Sequence, residues 1–234
     1  MIRAIVFDLD NTLVDFMRMK EAGVEAAAEA MIDAGLKMPK GEVVQKIYEI
    51  YDEVGIEDQR IFNRFLQRIL GYEDPRMLAA AIVAYRRAKD AALVLYPHVR
   101  YTLMELLKRG YRLAVVSDAP RLQAWTRLVQ VGLHDFFEVV VTFEDTGERK
   151  PSPKPFRVTL ERLGVAPQEA MMVGDWPERD ITGAAHLGMV TVFARYGDTF
   201  GTVNSGADYE INDIIELLEI LDHLRAKEPP RENC

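Results

Sequence analysis

The stretch Ile5-Val6-Phe7-Asp8-Leu9-Asp10-Asn11-Thr12-Leu13 decides how the rest of the chain is read. Residues 2–7 form an apolar run broken only by Arg3. Such a short run, rich in Ile and Val, reads as a strand buried in a parallel sheet. It stops at Asp8, and Asp10 follows two residues later. On an extended backbone, residues i and i+2 face the same way, so two carboxylates are aimed together off the end of a buried strand. Like charges that close raise each other's pKa unless a cation lies between them. A hard divalent ion such as Mg2+ relieves that strain, because it prefers carboxylate, carbonyl and water oxygens. The pattern is short, and two aspartates that merely cap or turn the chain fit it equally well.

Composition narrows the classes. A chain of 234 residues, 49% of them hydrophobic, holds one large domain or a core with an insert, and needs no staples to bury a core. The net charge of −8 and a pI near 5.2 argue against a general nucleic-acid or membrane-surface binder. An anionic substrate stays open, since a metal and a few local cations outweigh the global sign. The single cysteine, Cys234, excludes an intrachain disulfide and a cysteine zinc site, and fits a reducing compartment such as the cytoplasm. The apolar start runs straight into Asp8 without a small-residue cleavage site, so no signal peptide is expected. No apolar run approaches the ~18 residues of a membrane span.

Beyond Leu13 the texture changes. Residues 16–34 are rich in Ala, Glu and Met and stop at Gly35. Pro39 opens a second helical pattern, in which Val43, Val44, Ile47, Ile50, Tyr51 and Val54 recur at helical spacing up to Gly55. Ile61, Phe62, Phe65, Leu66, Ile69 and Leu70 mark a third pattern, closed by Gly71, and Pro75–Ala92 is a fourth. Strands then alternate with helices. Strands are expected at Arg112–Val116, 137–143, 170–173 and Val190–Ala194, with a short edge strand at Tyr209–Ile211. Helices are expected at Val99–Lys108, 121–131, 156–163, 180–187 and 214–226, and residues 144–149 read as a polar turn. The Pro-rich, charged tail from Lys227 reads as frayed. The expected fold class is α/β. A Rossmann-like, mainly parallel sheet core (residues 1–14 and 95–234) carries an inserted four-helix domain (residues 15–94). Ligands in such folds bind outside the carboxyl ends of the strands.

Polar residues stand at those ends. Ser117 and Asp118 end the second strand. The Ser117 hydroxyl suits a phosphoryl oxygen, and it suits a helix N-cap at least as well. Lys150 and Lys154 flank a turn stiffened by Pro151, Pro153 and Pro155, which aims a lysine with less entropy loss. A buried lysine there offsets phosphoryl charge; two solvated lysines are the alternative, and side-chain chemistry alone does not choose. Gly174-Asp175 ends the fourth strand, and Asp180 follows five residues later. Asp175 there can meet Asp8 and Asp10 and complete an oxygen-rich metal site, with Asp180 orienting the ligands from behind. The other reading is a turn at Asp175 and a helix cap at Asp180. Glu178 is an alternative acid, and Trp176 is placed to line the cleft. The four histidines are scattered without a ligand pattern. Arg18 and Lys20, and Arg60, Arg64 and Arg68, read best as solvated helix faces.

Asp8-Leu9-Asp10-Asn11-Thr12-Leu13 resembles the first motif of the haloacid dehalogenase-like hydrolase superfamily, DxDxT followed by an apolar residue. Ser117, Lys150-Pro151-Ser152-Pro153 and Val173-Gly174-Asp175 with Asp180 resemble its second, third and fourth motifs, in the required order and at strand ends. The resemblance spans most of the chain. It implies Asp8 as nucleophile and Asp10 as general acid/base. It places Ser117, Asp118 and Lys150 on the substrate phosphate and leaves Lys154 as runner-up. Asp8, Asp10 and Asp175 would hold Mg2+, with a contribution from the Asp10 carbonyl, and Asp180 would stand behind them. The inserted helices resemble the small cap between the first and second motifs of the phosphatase branch. The implied activity is Mg2+-dependent hydrolysis of a small phosphorylated metabolite through an aspartyl-phosphate. The implied protein is a cytoplasmic monomer or homodimer without nucleic-acid or membrane partners. A sugar phosphomutase keeps all four motifs. A haloacid dehalogenase lacks the second aspartate, and a non-catalytic phosphate-binding protein has no need of the full acid set.

Overall fold

Each apolar run that ends in a polar residue becomes a parallel strand. The computed structural model describes residues 1–226; the frayed tail expected from Lys227, with Cys234, lies outside them. The strands are β1 (Ala4–Phe7), β2 (Arg112–Val116), β3 (Val139–Val141), β4 (Ala170–Gly174), β5 (Val190–Ala194) and β6 (Tyr209–Ile211). They form one sheet in the order β3-β2-β1-β4-β5-β6, and every neighbouring pair is parallel. All four residues of β1 are buried, which is why this strand has no polar face. Its Phe7 lies between Val115 of β2 and Val173 of β4. The chain winds outward from β1 to β3, then returns to lay β4 on the other edge of β1. The strand order therefore reverses between β1 and β4, the crevice where doubly wound sheets hold ligands.

The chain forms two compact units, Phe16–Val94 and the remainder, Met1–Asp15 with the chain from Leu95 onward. The first unit is wholly helical: α1 (Phe16–Asp33), α2 (Lys40–Val54), α3 (Ile61–Leu70) and α4 (Pro75–Ala92). Val24, Ala27, Ala28 and Met31 give α1 a buried stripe at i, i+3, i+4, i+7, and Val43, Ile47, Ile50 and Tyr51 give α2 one at i, i+4, i+7, i+8. Asp74 caps α4 by accepting from the Arg76 and Met77 backbone amides at 3.0 and 2.9 Å, with Pro75 at the first helical position. Arg60, Arg64 and Arg68 are on the solvent face as expected, paired with Glu73, Asp58 and Glu53. Lys20 departs from the expected solvated face. It is 3% exposed, its Nζ lies 4.4 Å from the centre of the Tyr51 ring, and it donates to the Tyr85 hydroxyl at 3.2 Å. Aromatic faces attract a cation that has left water, which is how this position tolerates burial.

The second unit packs helices on the sheet. They are α5 (Val99–Lys108), α6 (Arg121–Gln130), α7 (Phe143–Thr146), α8 (Pro153–Leu163), α9 (Thr182–Ala185) and α10 (Leu217–Ala226). Val6, Val116 and Met172 share a core with Phe156 of α8 and Ala184 of α9. Boundaries shift where side chains cap the backbone. The third strand is shorter than expected. Thr142 donates to Asp145 Oδ2 from its amide at 2.9 Å and its hydroxyl at 2.8 Å, and so starts a helical turn in the predicted loop. Helix α8 starts early because Ser152 Oγ accepts from the Lys154 amide at 3.3 Å and Pro153 suits the first helical position. Residues Pro177–Ile181 form a π-helical turn ahead of α9, and turns of this kind gather at functional sites. Among the described residues no helix is long and apolar enough to cross a membrane.

The end of β5 presses on the loop that follows β1. Asn11 in that loop has φ 57°, and a Cβ on Gly197 would lie 1.6 Å from the Asn11 carbonyl oxygen. A backbone atom cannot yield as the end of a side chain does. Gly197→Ala should therefore lower stability by roughly 1–3 kcal/mol, seen as a reduced Tm in thermal melts. An unchanged Tm would mean that the two loops separate freely.

Candidate active site

Lys150 stands at the centre of the polar groups gathered over the β1–β4 crevice. Its side chain is 3% exposed. Its Nζ donates to Asp8 Oδ1 at 2.6 Å, Asp180 Oδ1 at 2.5 Å and the Val116 carbonyl at 3.2 Å. Three of the elements that carry the sequence motifs thus meet at one ammonium group. Lys154, by contrast, is half exposed and bonds the Thr146 carbonyl at 2.6 Å with Glu148 nearby at 3.3 Å. Geometry therefore separates two lysines that side-chain chemistry left equivalent.

Oxygen atoms of Asp8, Asp175 and Asp180 lie within 4.8 Å of one another. Asp180 is not behind this cluster but part of it, because the π turn carries it back over Gly174. A Cβ on Gly174 would lie 2.3 Å from Asp180 Oδ2, so glycine is what allows the approach. The Trp176 amide also donates to Asp180 Oδ2, at 3.1 Å. Thr12 holds Asp175 through a 2.9 Å bond from its hydroxyl to Oδ1, and the Tyr196 hydroxyl holds the Thr12 carbonyl at 2.8 Å. Glu178, the alternative acid, is exposed.

Asp10 is placed differently from the sequence expectation. Its carboxylate lies outside the three-acid cluster and accepts from Arg127 Nη1 at 2.6 Å. The reason is local. β1 ends at Phe7, and the chain turns at Asn11 with φ 57°, so the alternation of an extended strand does not continue to Asp10. Ser117 is buried, and its Oγ accepts from the Ala119 amide at 3.2 Å in the turn that precedes α6. Asp118 ties the loops together: Oδ1 accepts from the Lys150 amide at 2.9 Å and Oδ2 from Arg179 at 3.1 Å. Trp176 is half-buried between the Arg179 guanidinium, 3.7 Å from its ring centre, and Phe200.

The electrostatics follow from packing acids in a place that excludes water. Burial pushes the Asp8 carboxyl up to about 8 against the pull of Lys150, and Asp180 and Asp10 add to the rise. Burial, then Asp8 and Asp180, hold Asp175 well above the ordinary carboxylate range, although the Thr12 hydroxyl opposes this. Burial alone would lower the Lys150 pKa; Asp180 and Asp8 outweigh it and raise it, so the ammonium keeps its charge. With all three ionised, the carboxylates against one ammonium would leave two negative charges in the cluster. An all-oxygen donor set with that balance fits one hard divalent cation.

Thr12, Tyr196 and Arg127 are the site-lining residues that the sequence left unassigned. Thr12 was visible as the threonine of the first motif. Arg127 left a trace as a lone cation between Ala124 and Leu128 on one helical face. Tyr196 left none, because its partner is a backbone carbonyl 184 residues away.

The raised Asp8 pKa has a consequence for stability. In the folded, metal-free protein Asp8 keeps its proton up to about pH 8, whereas the unfolded chain releases it near 3.8. Its contribution is full below the lower value and is lost as pH rises through the upper one. Asn at position 8 does not titrate. In chelator, the stability of Asp8→Asn relative to wild type should therefore rise steadily from pH 5 to about pH 8, measured by denaturant unfolding. A difference that is flat or falls with pH would contradict the protonation of Asp8.

Residues 5–194 match the family model described as haloacid dehalogenase-like hydrolase. The chain is 38% identical to a glyceraldehyde 3-phosphate phosphatase of Methanopyrus kandleri, over 96% of this chain and 99% of that one. It is 36% identical to one of Methanocaldococcus jannaschii, over 96% and 99%. Among solved structures it resembles a HAD phosphatase from Thermococcus onnurineus, at 29% identity and a TM-score of 0.70, covering 94% of this chain and 98% of that one. The acids at the ends of β1 and β4 and the lysine between them thus sit on a chain that belongs to the haloacid dehalogenase-like hydrolase family.

Proposed function

We propose that this phosphatase of small phosphorylated metabolites works by Mg2+-dependent displacement with Asp8 as the nucleophile. The observation that carries the reading is a buried, all-oxygen cluster of three acids, which with all three ionised would stand two negative charges in excess of Lys150, the lysine being bonded to Asp8. Asp8, Asp175 and Asp180 would hold the cation, joined by the Asp10 backbone carbonyl. When bound, Mg2+ neutralises the acids and withdraws charge from the phosphoryl oxygens.

An oxygen of Asp8 attacks phosphorus in line. The bond from phosphorus to the ester oxygen breaks, and Asp10 gives that leaving oxygen its proton. An aspartyl-phosphate remains. Asp10, now ionised, takes a proton from water as the water oxygen attacks phosphorus. The bond from phosphorus to Asp8 breaks, and inorganic phosphate leaves. Lys150 counters charge on Asp8 and on the phosphoryl oxygens through both steps, and Ser117 donates to one of them. Asp118 acts differently from the first expectation. An anion repels a phosphoryl group, so its carboxylate serves by holding the Lys150 amide and Arg179.

The helical unit Phe16–Val94 is read as the substrate-selecting cap of the family. The relatives named glyceraldehyde 3-phosphate phosphatases make a triose phosphate the first substrate to test, with other small sugar phosphates beside it. The single-cysteine, acidic chain fits a cytoplasmic enzyme with a small-molecule partner.

Phosphate release should therefore appear with Mg2+, stop on chelation and return when Mg2+ is restored. Full turnover after exhaustive metal removal would refute the mechanism. A hexose phosphate isomerised without release of phosphate would replace hydrolysis with mutase chemistry.

The two lysines provide a second test. Losing a preorganised electrostatic contact of the Lys150 kind lowers turnover by ~100- to 1000-fold. Lys150→Ala should fall in that range while Lys154→Ala stays near wild type, since solvent-side changes usually remain within about 0.5 kcal/mol of neutral. Measured kcat/KM on one competent substrate decides it; a crippled Lys154→Ala beside a normal Lys150→Ala would move the role to Lys154.

A further inference from the structure

Helix α6 is built against the usual pattern. Its buried face carries Ala124, Arg127 and Leu128, while Leu122 and Val129 are 74% and 57% exposed. A guanidinium thus occupies a position where an amphipathic helix normally places an apolar residue. Arg127 is 4% exposed, and burying a cation is unfavourable unless an anion meets it. One anion it meets is Asp10, through the 2.6 Å bond from Nη1 to Oδ2. Helix and carboxylate come from sequence positions 117 residues apart, so local chain geometry does not produce this contact.

We infer that Arg127 is a positioning residue for proton transfer: it fixes the plane of the Asp10 carboxylate by anchoring one of its oxygens. The inference rests on the proposed role of Asp10 as acid and base. A carboxylate side chain has two free torsions, and a misplacement of about 1 Å at a reacting group can cost roughly 100-fold in rate. Asp10 must stay in place through both half-reactions, first as donor and then as acceptor. A planar guanidinium, whose donors are already set in a rigid fork, fixes an oxygen with less entropy loss than a flexible ammonium. The bond thus holds the group that moves the proton without touching the phosphoryl group itself.

A merely structural ion pair predicts something else, namely that Arg127 affects the fold and not the reaction through Asp10. Single-turnover acid quench with a phosphate-labelled triose phosphate separates the two. The variants are Arg127→Met and Arg127→Lys, each made in the wild-type and Asp10→Ala backgrounds. Thermal melts and Mg2+ calorimetry serve as controls for folding and cation binding. Arg127→Met should slow both formation and loss of the phosphoenzyme by about 10- to 100-fold with KM unchanged. Arg127→Lys should recover part of the loss. In the Asp10→Ala background neither change should slow the reaction further, because two groups that act as one unit are not additive. An equal loss in both backgrounds, or wild-type rates in Arg127→Met, would overturn the inference. If Arg127→Met does not fold, Arg127→Lys across the two backgrounds gives the same comparison. A wild-type enzyme that turns over without any phosphoenzyme overturns the proposed function, and this inference with it. A wild-type phosphoenzyme beside unaffected Arg127 variants overturns the inference alone.

Discussion

A buried ammonium group held between two buried carboxylates is the constraint on which the rest of the structure depends. Lys150 reaches Asp8 at 2.6 Å and Asp180 at 2.5 Å, with almost no exposure to solvent. None of the three charges is tolerable there alone, since an isolated ion in a low-dielectric interior gives up its hydration for nothing. Together they remain one positive charge short of neutrality with Asp8 and Asp180, and two short once Asp175 is ionised. The protein answers by protonation, which is why Asp8 rises to about 8 and Asp175 is held well above its ordinary range. A divalent cation answers the same imbalance without protons. Cation binding at this site would therefore be coupled to proton release. The groups that make the site unfavourable when empty of positive charge are those that would act on a phosphoryl group once it is balanced.

The fold serves that constraint. An all-parallel sheet aims its carboxyl ends one way, and its strand order reverses between β1 and β4. That reversal opens a crevice beside Asp8 and Asp175. Smaller devices then set the distances. The π turn Pro177–Ile181 returns Asp180 over Gly174, the Tyr196 hydroxyl donates to the Thr12 carbonyl, and the Thr12 hydroxyl donates to Asp175. Asp118 holds the Lys150 loop by its amide. Each device is local, and each acts on a residue that stands within hydrogen-bond reach of the acid cluster.

Much of this was legible in the sequence, and the failures share a cause. The strand ends at Asp8, Ser117 and Asp175 followed from apolar runs that stop abruptly, since that signal lies within a few residues. The expectation for β3 overshot because the Thr142–Asp145 cap competes with the strand for the same backbone. Lys20 was read as a solvent-face cation, because most cations stand in water, and Arg127 was left unassigned. Both are buried by partners far away in sequence, Tyr51 and Tyr85 for one and Asp10 for the other. The choice of Lys150 over Lys154 came from motif order and could not come from side-chain chemistry. Asp180 was placed behind the cluster because nothing in five residues of sequence reveals the pitch of a π turn. Asp10 was aimed with Asp8 because a two-residue period was carried past the end of the strand.

The most direct test of the whole account is to locate the phosphate during turnover. Wild-type protein mixed with Mg2+ and a labelled triose phosphate, quenched in acid and digested, should carry its label on the peptide that contains Asp8. Fragmentation should place it on that carboxylate, and hydroxylamine should remove it as an acyl phosphate. Label on Ser117, on a histidine, or on no residue while phosphate accumulates would contradict the central claim that the Asp8–Lys150 pair is built for nucleophilic attack.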